Sequence, residues 1–223
     1  MSARYDLYVI TDEGLSRGLT HIELARRAVE GGADVIQLRD KKMSGGDLFL
    51  AASEMRDICR KAGALFIVND RLDIALASGA DGVHLGQNDL PVGAARRIVP
   101  EGFIIGVSVS SAEQAVIAER NGADYVGFGP VFPTSSKADA GEERGFAELA
   151  RVRRSVRVPV VAIGGINEGN AAEVVRAGAD GISVISAVVS QEDVSAAAAR
   201  LKALIAKVKA GPLTGPQQLS STP

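Results

Sequence analysis

The tripeptide Gly-Ala-Asp recurs along the chain, at Gly32-Ala33-Asp34, Gly79-Ala80-Asp81, Gly122-Ala123-Asp124 and Gly178-Ala179-Asp180. An apolar run follows each copy: VIQLRD, GVHLGQ, YVGFGPV and GISVIS. The glycine can close a preceding helix in the left-handed conformation, which costs least without a β-carbon. A short turn then feeds a strand. Further apolar runs, YDLYVIT, LFIVND, FIIGVS and VPVVAIGG, alternate with these. All are near-continuous apolar segments, the pattern of parallel strands covered by helices. The spacing predicts strands beginning near Tyr5, Val35, Leu65, Gly82, Phe103, Tyr125, Pro159 and Gly181.

The intervening segments have helical periodicity. Leu48, Ala51, Ala52, Met55, Ile58, Cys59 and Ala62 recur at i, i+3, i+4 spacing. Thr20 with Glu23, and Ser110 with Glu113, match the capping box at helix starts. A last helix places Val194, Ala197, Leu201, Leu204, Ile205 and Val208 on one side. Repeated βα units in 223 residues favour an α/β fold, a single-domain (β/α)8 TIM barrel. A doubly wound sheet calls for Gly-x-Gly-x-x-Gly after the first strand, and Thr11-Asp12-Glu13-Gly14 stands there instead. The barrel is expected over residues 1–209. The Gly-, Pro- and Ser-rich stretch 210–223 has too few apolar residues to dock and is expected to be a flexible tail.

Composition narrows the partners. A net charge of -2 and a pI near 5.8 provide no global basic field for nucleic acid. No apolar stretch approaches the roughly 18 residues of a membrane span, and the opening MSARYDLYVITDE becomes charged too early for a secretion signal. One cysteine, Cys59, cannot form an intrachain disulfide, which suits the cytoplasm. Apolar outer helix faces can pack internally or against a second copy, so a homo-oligomer is permitted.

Ligands of such a barrel sit where the strands' carboxyl ends meet. The second strand ends Gln37-Leu38-Arg39-Asp40-Lys41. Alternation sends Gln37, Arg39 and Lys41 to one side and Leu38 to the other. Two cations beside an amide suit an anionic ligand, though from an isolated strand end a solvated Arg39–Asp40 pair is the favoured reading. The third strand stops abruptly at Asn69-Asp70-Arg71, and Asp89 follows the fourth. Asn69 or Asp70 can cap the next helix; alternatively Asp70 and Asp89, at neighbouring strand ends, can share a Mg²⁺ ion. His84 is expected to be a packed, hydrogen-bonded histidine, and His21 carries no signal. Ser108 ends the fifth strand, with Ser110 the better helix cap. No base is placed by sequence to activate Ser108 as a nucleophile.

The sixth strand runs into GFGPVFPTSSKADAG. Thr134, Ser135, Ser136 and Lys137 offer hydroxyls and an ammonium to phosphate or diphosphate, or form an ordinary polar loop. Gly164 and Gly165 after the seventh strand, with Ile185 and Ser186 after the eighth, stand at the usual phosphate site of this fold.

LYVITD, VIQLRDK, FIVNDR, GVHLGQNDL, GPVFPTSSK, VAIGGI and VISAV occur in order between about Tyr5 and Val189. Together they closely resemble the thiamine-phosphate synthase family. The resemblance implies a Mg²⁺-dependent transferase that joins hydroxymethylpyrimidine diphosphate to hydroxyethylthiazole phosphate. It further implies that diphosphate departs first and that the thiazole nitrogen captures the resulting cation. By position it assigns Gln37, Leu38, Arg39, Asp40, Lys41 and Asn69 to the pyrimidine diphosphate, and Asp70 and Asp89 to Mg²⁺. Ser108 and Lys137 would contact the diphosphate, so that Arg39, Lys41, Ser108 and Lys137 carry the chemistry. Thr134, Ser135, Ser136, Gly165, Ile185 and Ser186 would receive the thiazole phosphate. Ser136 replaces a threonine common in the family but keeps the hydroxyl. A thiazole tautomerase of the same superfamily and a non-catalytic barrel binding thiamine precursors are the alternatives; the first has no comparable need for the paired acids.

Overall fold

The computed structural model of the protein describes residues 5–136 and 141–211. The strands are β1 (Leu7–Thr11), β2 (Val35–Leu38), β3 (Leu65–Asn69), β4 (Gly82–Leu85), β5 (Ile104–Val109), β6 (Tyr125–Phe128), β7 (Val160–Ile163) and β8 (Gly181–Val184). Each pairs in parallel with the next, and β8 returns to β1, closing a barrel in sequence order. Every expected strand is present, starting within two residues of its predicted position. Around them lie α1 (His21–Glu30), α2 (Gly45–Ala62), α3 (Leu72–Ser78), α4 (Val92–Arg96), α5 (Ala112–Arg120), α6 (Gly145–Ser155), α7 (Ala171–Arg176), α8 (Ser186–Val189) and α9 (Val194–Ala210). No helix among the described residues is long and apolar enough to cross a membrane.

The repeated tripeptide builds the bottom of the barrel. Gly32, Gly79, Gly122 and Gly178 all have positive φ, between 69° and 110°. The alanine after each donates its N–H to a carbonyl five residues back, on Ala28, Ala75, Ala118 and Val174, which closes the helix in a Schellman-type end. The aspartate does more than the sequence predicts. Asp34, Asp81, Asp124 and Asp180 accept the backbone N–H of Leu7, Phe66, Ile105 and Val160 at 2.7–2.9 Å. Their own N–H groups donate to the carbonyls of the same four residues. Each copy therefore clamps an odd-numbered strand to the even-numbered strand that follows it.

Helix α2 buries Leu48, Ala51, Ala52, Met55 and Cys59, as its periodicity predicts, while Ala62 in its last turn is exposed. Thr20 and Glu23 form the expected capping box on α1. The second expected box is displaced: Ser111 caps α5, accepting the N–H of Gln114. The reason is local. The side chain of Gln114 turns back to accept the N–H of Ser110 at 2.8 Å, so Ser110 lies one residue outside the helix. At the far end, α9 is held to the barrel bottom by charge: Lys202 Nζ lies 2.6 Å from Asp34 Oδ1, and Lys209 Nζ 2.6 Å from Asp6 Oδ1. Ala210 is still helical, one residue into the expected tail; the rest of that tail, residues 212–223, lies outside the described residues.

Candidate active site

A cleft of about 890 Å³ opens at the carboxyl ends of the strands. Arg39 and Lys41 after β2, Asn69 and Asp70 at the end of β3, Asp89 after β4 and Ser108 in β5 line one side. Thr134, Ser135, Ser136, Gly165, Ile185 and Ser186 line the other.

Asp70 has a φ of 60°, the one positive value outside glycine among the described residues. A residue with a β-carbon enters that region only when its surroundings hold it there. Here the N–H of Asp70 donates to the carbonyl of His84 at 2.9 Å, tying the chain leaving β3 to the neighbouring strand. The carboxyl thereby meets that of Asp89. Burial, then the hydrogen bond and the charge of Asp89, push Asp70 up to about 6, against the pull of Lys41 and Arg39. Asp89 is fixed by the N–H of Gly86, 2.6 Å from its Oδ2. A β-carbon at Gly86 would stand 2.9 Å from that same oxygen, so a side chain there would push the Asp89 carboxylate aside. Neither Asn69 nor Asp70 caps α3: its N-cap is Arg71, without a side-chain cap. The abrupt end of β3 serves the cleft.

Across the cleft, Ser136 Oγ lies 3.2 Å from Ser186 Oγ, joining the loop after β6 to the start of α8. Gly164 and Gly165 have φ values of 101° and 62°. Their need for glycine comes from this backbone conformation and from packing. A β-carbon at Gly165 would lie 2.6 Å from the carbonyl oxygen of Pro133, and one at Gly164 would lie 2.4 Å from Pro130 Cβ.

Three expected residues, Gln37, Leu38 and Asp40, do not line the cleft, whereas Arg39 does. Leu38 is buried. The Asp40 carboxylate accepts the N–H groups of Lys42 and Met43 at 2.6 and 2.7 Å and lies 3.3 Å from His21 Nε2. Arg39 Nη1 is 4.0 Å from Asp12 Oδ2. Gln37 lies deeper, inside the barrel, where its amide donates to Tyr8 Oη. Lys137 lies outside the described residues.

The family model described as thiamine monophosphate synthase fits residues 7–188. The thiamine-phosphate synthase of Methanocella arvoryzae is 66% identical over 206 residues, covering 92% of this chain and 97% of that protein. The chain belongs to the thiamine-phosphate synthase family. It is accordingly a transferase of thiamine biosynthesis. A second family member, from Methanoculleus marisnigri, is 62% identical over 206 residues, 92% of this chain and 98% of its own. The solved thiamine phosphate pyrophosphorylase of Pyrococcus furiosus superposes with a TM-score of 0.85 at 46% identity, covering 92% of this chain and 98% of that one.

His84 is packed and hydrogen-bonded as expected, while the expectations for Ser108 and His21 need correction. Ser108 does have a histidine beside it: His84 Nε2 is 2.9 Å from Ser108 Oγ. Their strands are neighbours, and the parallel register that pairs His84 with Gly106 puts Ser108 two residues further along, on the same face. His21, which carried no signal, is buried and joins Thr11 Oγ1, at 2.7 Å, to Asp40. Tyr8 and Tyr125 were missed altogether, since each reads as an ordinary strand aromatic.

Proposed function

We propose that the cleft joins hydroxymethylpyrimidine diphosphate to hydroxyethylthiazole phosphate, producing thiamine phosphate and diphosphate. One observation carries this reading: paired carboxyls, Asp70 and Asp89, share a wall with Arg39 and Lys41. Two acids side by side, with Asp70 raised by its burial and by the charge of Asp89, form a donor set for a divalent cation. No group of three or more metal-binding side chains occurs among the described residues. Two carboxylates suit Mg²⁺, which takes few protein oxygens and fills its shell with water and phosphate oxygens. Bound there, Mg²⁺ would offset charge on the departing diphosphate.

The chain's own residues supply the rest. Arg39 and Lys41 draw the diphosphate to that wall, and their charge favours bond cleavage because it acts on the anion that forms. Ser108 offers it a hydroxyl. Lys137, by the family motif, adds a further cation. Asn69 meets the pyrimidine, and Gln37, Leu38 and Asp40, which lie behind the cleft wall, hold the strand and turn that shape that side. Thr134, Ser135, Ser136, Gly165, Ile185 and Ser186 seat the thiazole phosphate, positioning its ring nitrogen against the cation left behind. No protein nucleophile is required. A cytoplasmic setting fits the buried, unpaired Cys59.

The test is direct. Purified protein with Mg²⁺ and both substrates should yield thiamine phosphate and diphosphate in equal amounts. Tautomer conversion without diphosphate release, or tight ligand binding without turnover, would overturn the assignment.

A further inference from the structure

Beneath the cleft, a hydrogen-bonded chain of side chains crosses the barrel. The Gln37 amide donates to Tyr8 Oη at 2.7 Å, and Tyr8 Oη lies 2.8 Å from Tyr125 Oη. Tyr125 Oη is 2.9 Å from His84 Nδ1, and His84 Nε2 is 2.9 Å from Ser108 Oγ. Gln37, Tyr8, Tyr125 and His84 are all buried, whereas Ser108 reaches the cleft. The barrel is hollowed to admit them. A β-carbon at Gly106 would stand 2.0 Å from the Tyr125 ring, and one at Gly127 would stand 3.0 Å from the His84 ring. Glycine within a strand often marks such a close approach.

The direction of the chain follows from what each group can donate. An amide nitrogen has protons to give and no lone pair to offer. With Gln37 Nε2 on Tyr8, the Tyr8 proton goes to Tyr125, the Tyr125 proton to His84 Nδ1, and His84 Nε2–H to Ser108. Burial raises both phenols far above their ordinary range, so each keeps its proton. Ser108, accepting from His84, turns its own proton to the cleft. At the other end, Gln37 Oε1 is buried without a hydrogen-bond partner among the described residues, as is Ser183 Oγ. Gln37, Ser183 and Ser108 border one cavity of about 20 Å³ under the cleft floor. An orphaned buried acceptor is costly until a donor reaches it.

We propose that Tyr8, Tyr125 and His84 are positioning residues that transmit the orientation of the Gln37 amide to the Ser108 hydroxyl. A water held in that small polar cavity beneath the seated pyrimidine, donating to Gln37 Oε1, thereby sets Ser108 to donate to the diphosphate. Flipping the amide would reverse every bond in the chain. Ser108 would then donate to His84 and face the anion with lone pairs only. The inference rests on the synthase reading for the identity of the two ligands.

Tyr125→Phe and Tyr8→Phe each remove one hydroxyl at constant ring size. Each should lower kcat about 10- to 150-fold, the scale of a hydrogen bond to a charged group. In a Ser108→Ala background the same substitutions should change nothing further, because residues acting through one group are not additive. The same cycle, read by calorimetric binding of inorganic diphosphate with Mg²⁺, needs no turnover. Failure of the synthase reading is therefore distinguishable from failure of the relay. The chain has two histidines, so ¹⁵N-histidine spectra of the diphosphate complex should show His84 protonated at Nε2, a bias lost in Tyr125→Phe. An undiminished loss in the Ser108→Ala background, no loss in the parent, or His84 protonated at Nδ1 would overturn the proposal. Should Tyr125→Phe not fold, Tyr8→Phe carries the same cycle.

Discussion

Asp70 and Asp89 share a hydrogen bond between carboxyls that leave adjacent strands, and the left-handed backbone of Asp70 is what aims one at the other. Such a bond holds a proton. Asp70 titrates near 6 because of its burial and its acidic neighbour, above its ordinary 3.8. A carboxyl raised on folding stabilises the folded state in its protonated form. That contribution is complete below the unfolded value and is lost as pH rises through about 6. Metal-free protein should thus gain thermal stability between pH 7.5 and pH 5 relative to Asp70→Asn, which cannot titrate. At the proposed site Mg²⁺ would compete with the proton, so its stabilising shift in Tm should grow over the same interval as pH rises. Thermal scans with and without Mg²⁺ across pH check both. A pH-independent Mg²⁺ shift would refute the shared-proton account.

The turn bearing Arg39 and Lys41 is held from below. Asp40 accepts two backbone N–H groups of that turn and meets His21, itself bonded to Thr11. Asp40→Ala frees those N–H groups and removes the acid beside His21. The KM for the pyrimidine diphosphate should rise about tenfold, the scale of one or two lost hydrogen bonds, with the KM for the thiazole phosphate little changed. Steady-state kinetics varying each substrate separately distinguishes this from a general loss of fold.

The clamp at the barrel bottom predicts a stability effect without a catalytic one. Asp34 accepts the Leu7 N–H and also faces Lys202. Asp34→Ala leaves both without that carboxylate, at a cost of about 1–3 kcal/mol. For a domain of this size that lowers Tm by several degrees, at about 2–4 °C per kcal/mol. Turnover at 25 °C should stay within about twofold, because the cleft is at the opposite end of the strands. Calorimetry and a rate assay on the same sample test the separation.

The barrel was legible because its signals are local. Each apolar run ends within a few residues of a glycine or an acid, and a parallel strand announces itself by continuous apolarity. Asp70 and Asp89 were legible because consecutive strands must be neighbours. The relay under the cleft was not, since Tyr8 and Tyr125 are 117 residues apart and meet only when the barrel closes. Gly106 within FIIGVS was the available clue, as a strand glycine leaves room for a bulky neighbour. Ser110 was mistaken for a cap because one glutamine side chain, which spacing does not reveal, decides where α5 begins. Asp40 read as a ligand residue, and its bonds instead run to its own turn.

Gly165 tests whether the thiazole side depends on backbone packing. Its φ of 62° disfavours any side chain, and a β-carbon would press on the Pro133 carbonyl at 2.6 Å. Pro133 immediately precedes Thr134, Ser135 and Ser136, so the displacement passes straight into the hydroxyls proposed for the phosphate. Gly165→Ala should therefore raise the KM for the thiazole phosphate at least tenfold, an effect of about 1.4 kcal/mol or more. Diphosphate binding should be nearly unchanged, because Asp70, Asp89, Arg39 and Lys41 stand on the other wall. Calorimetric titration with each ligand alone separates the two. An equal loss for both ligands would mean that the cleft responds as one body and that its two walls are not independent.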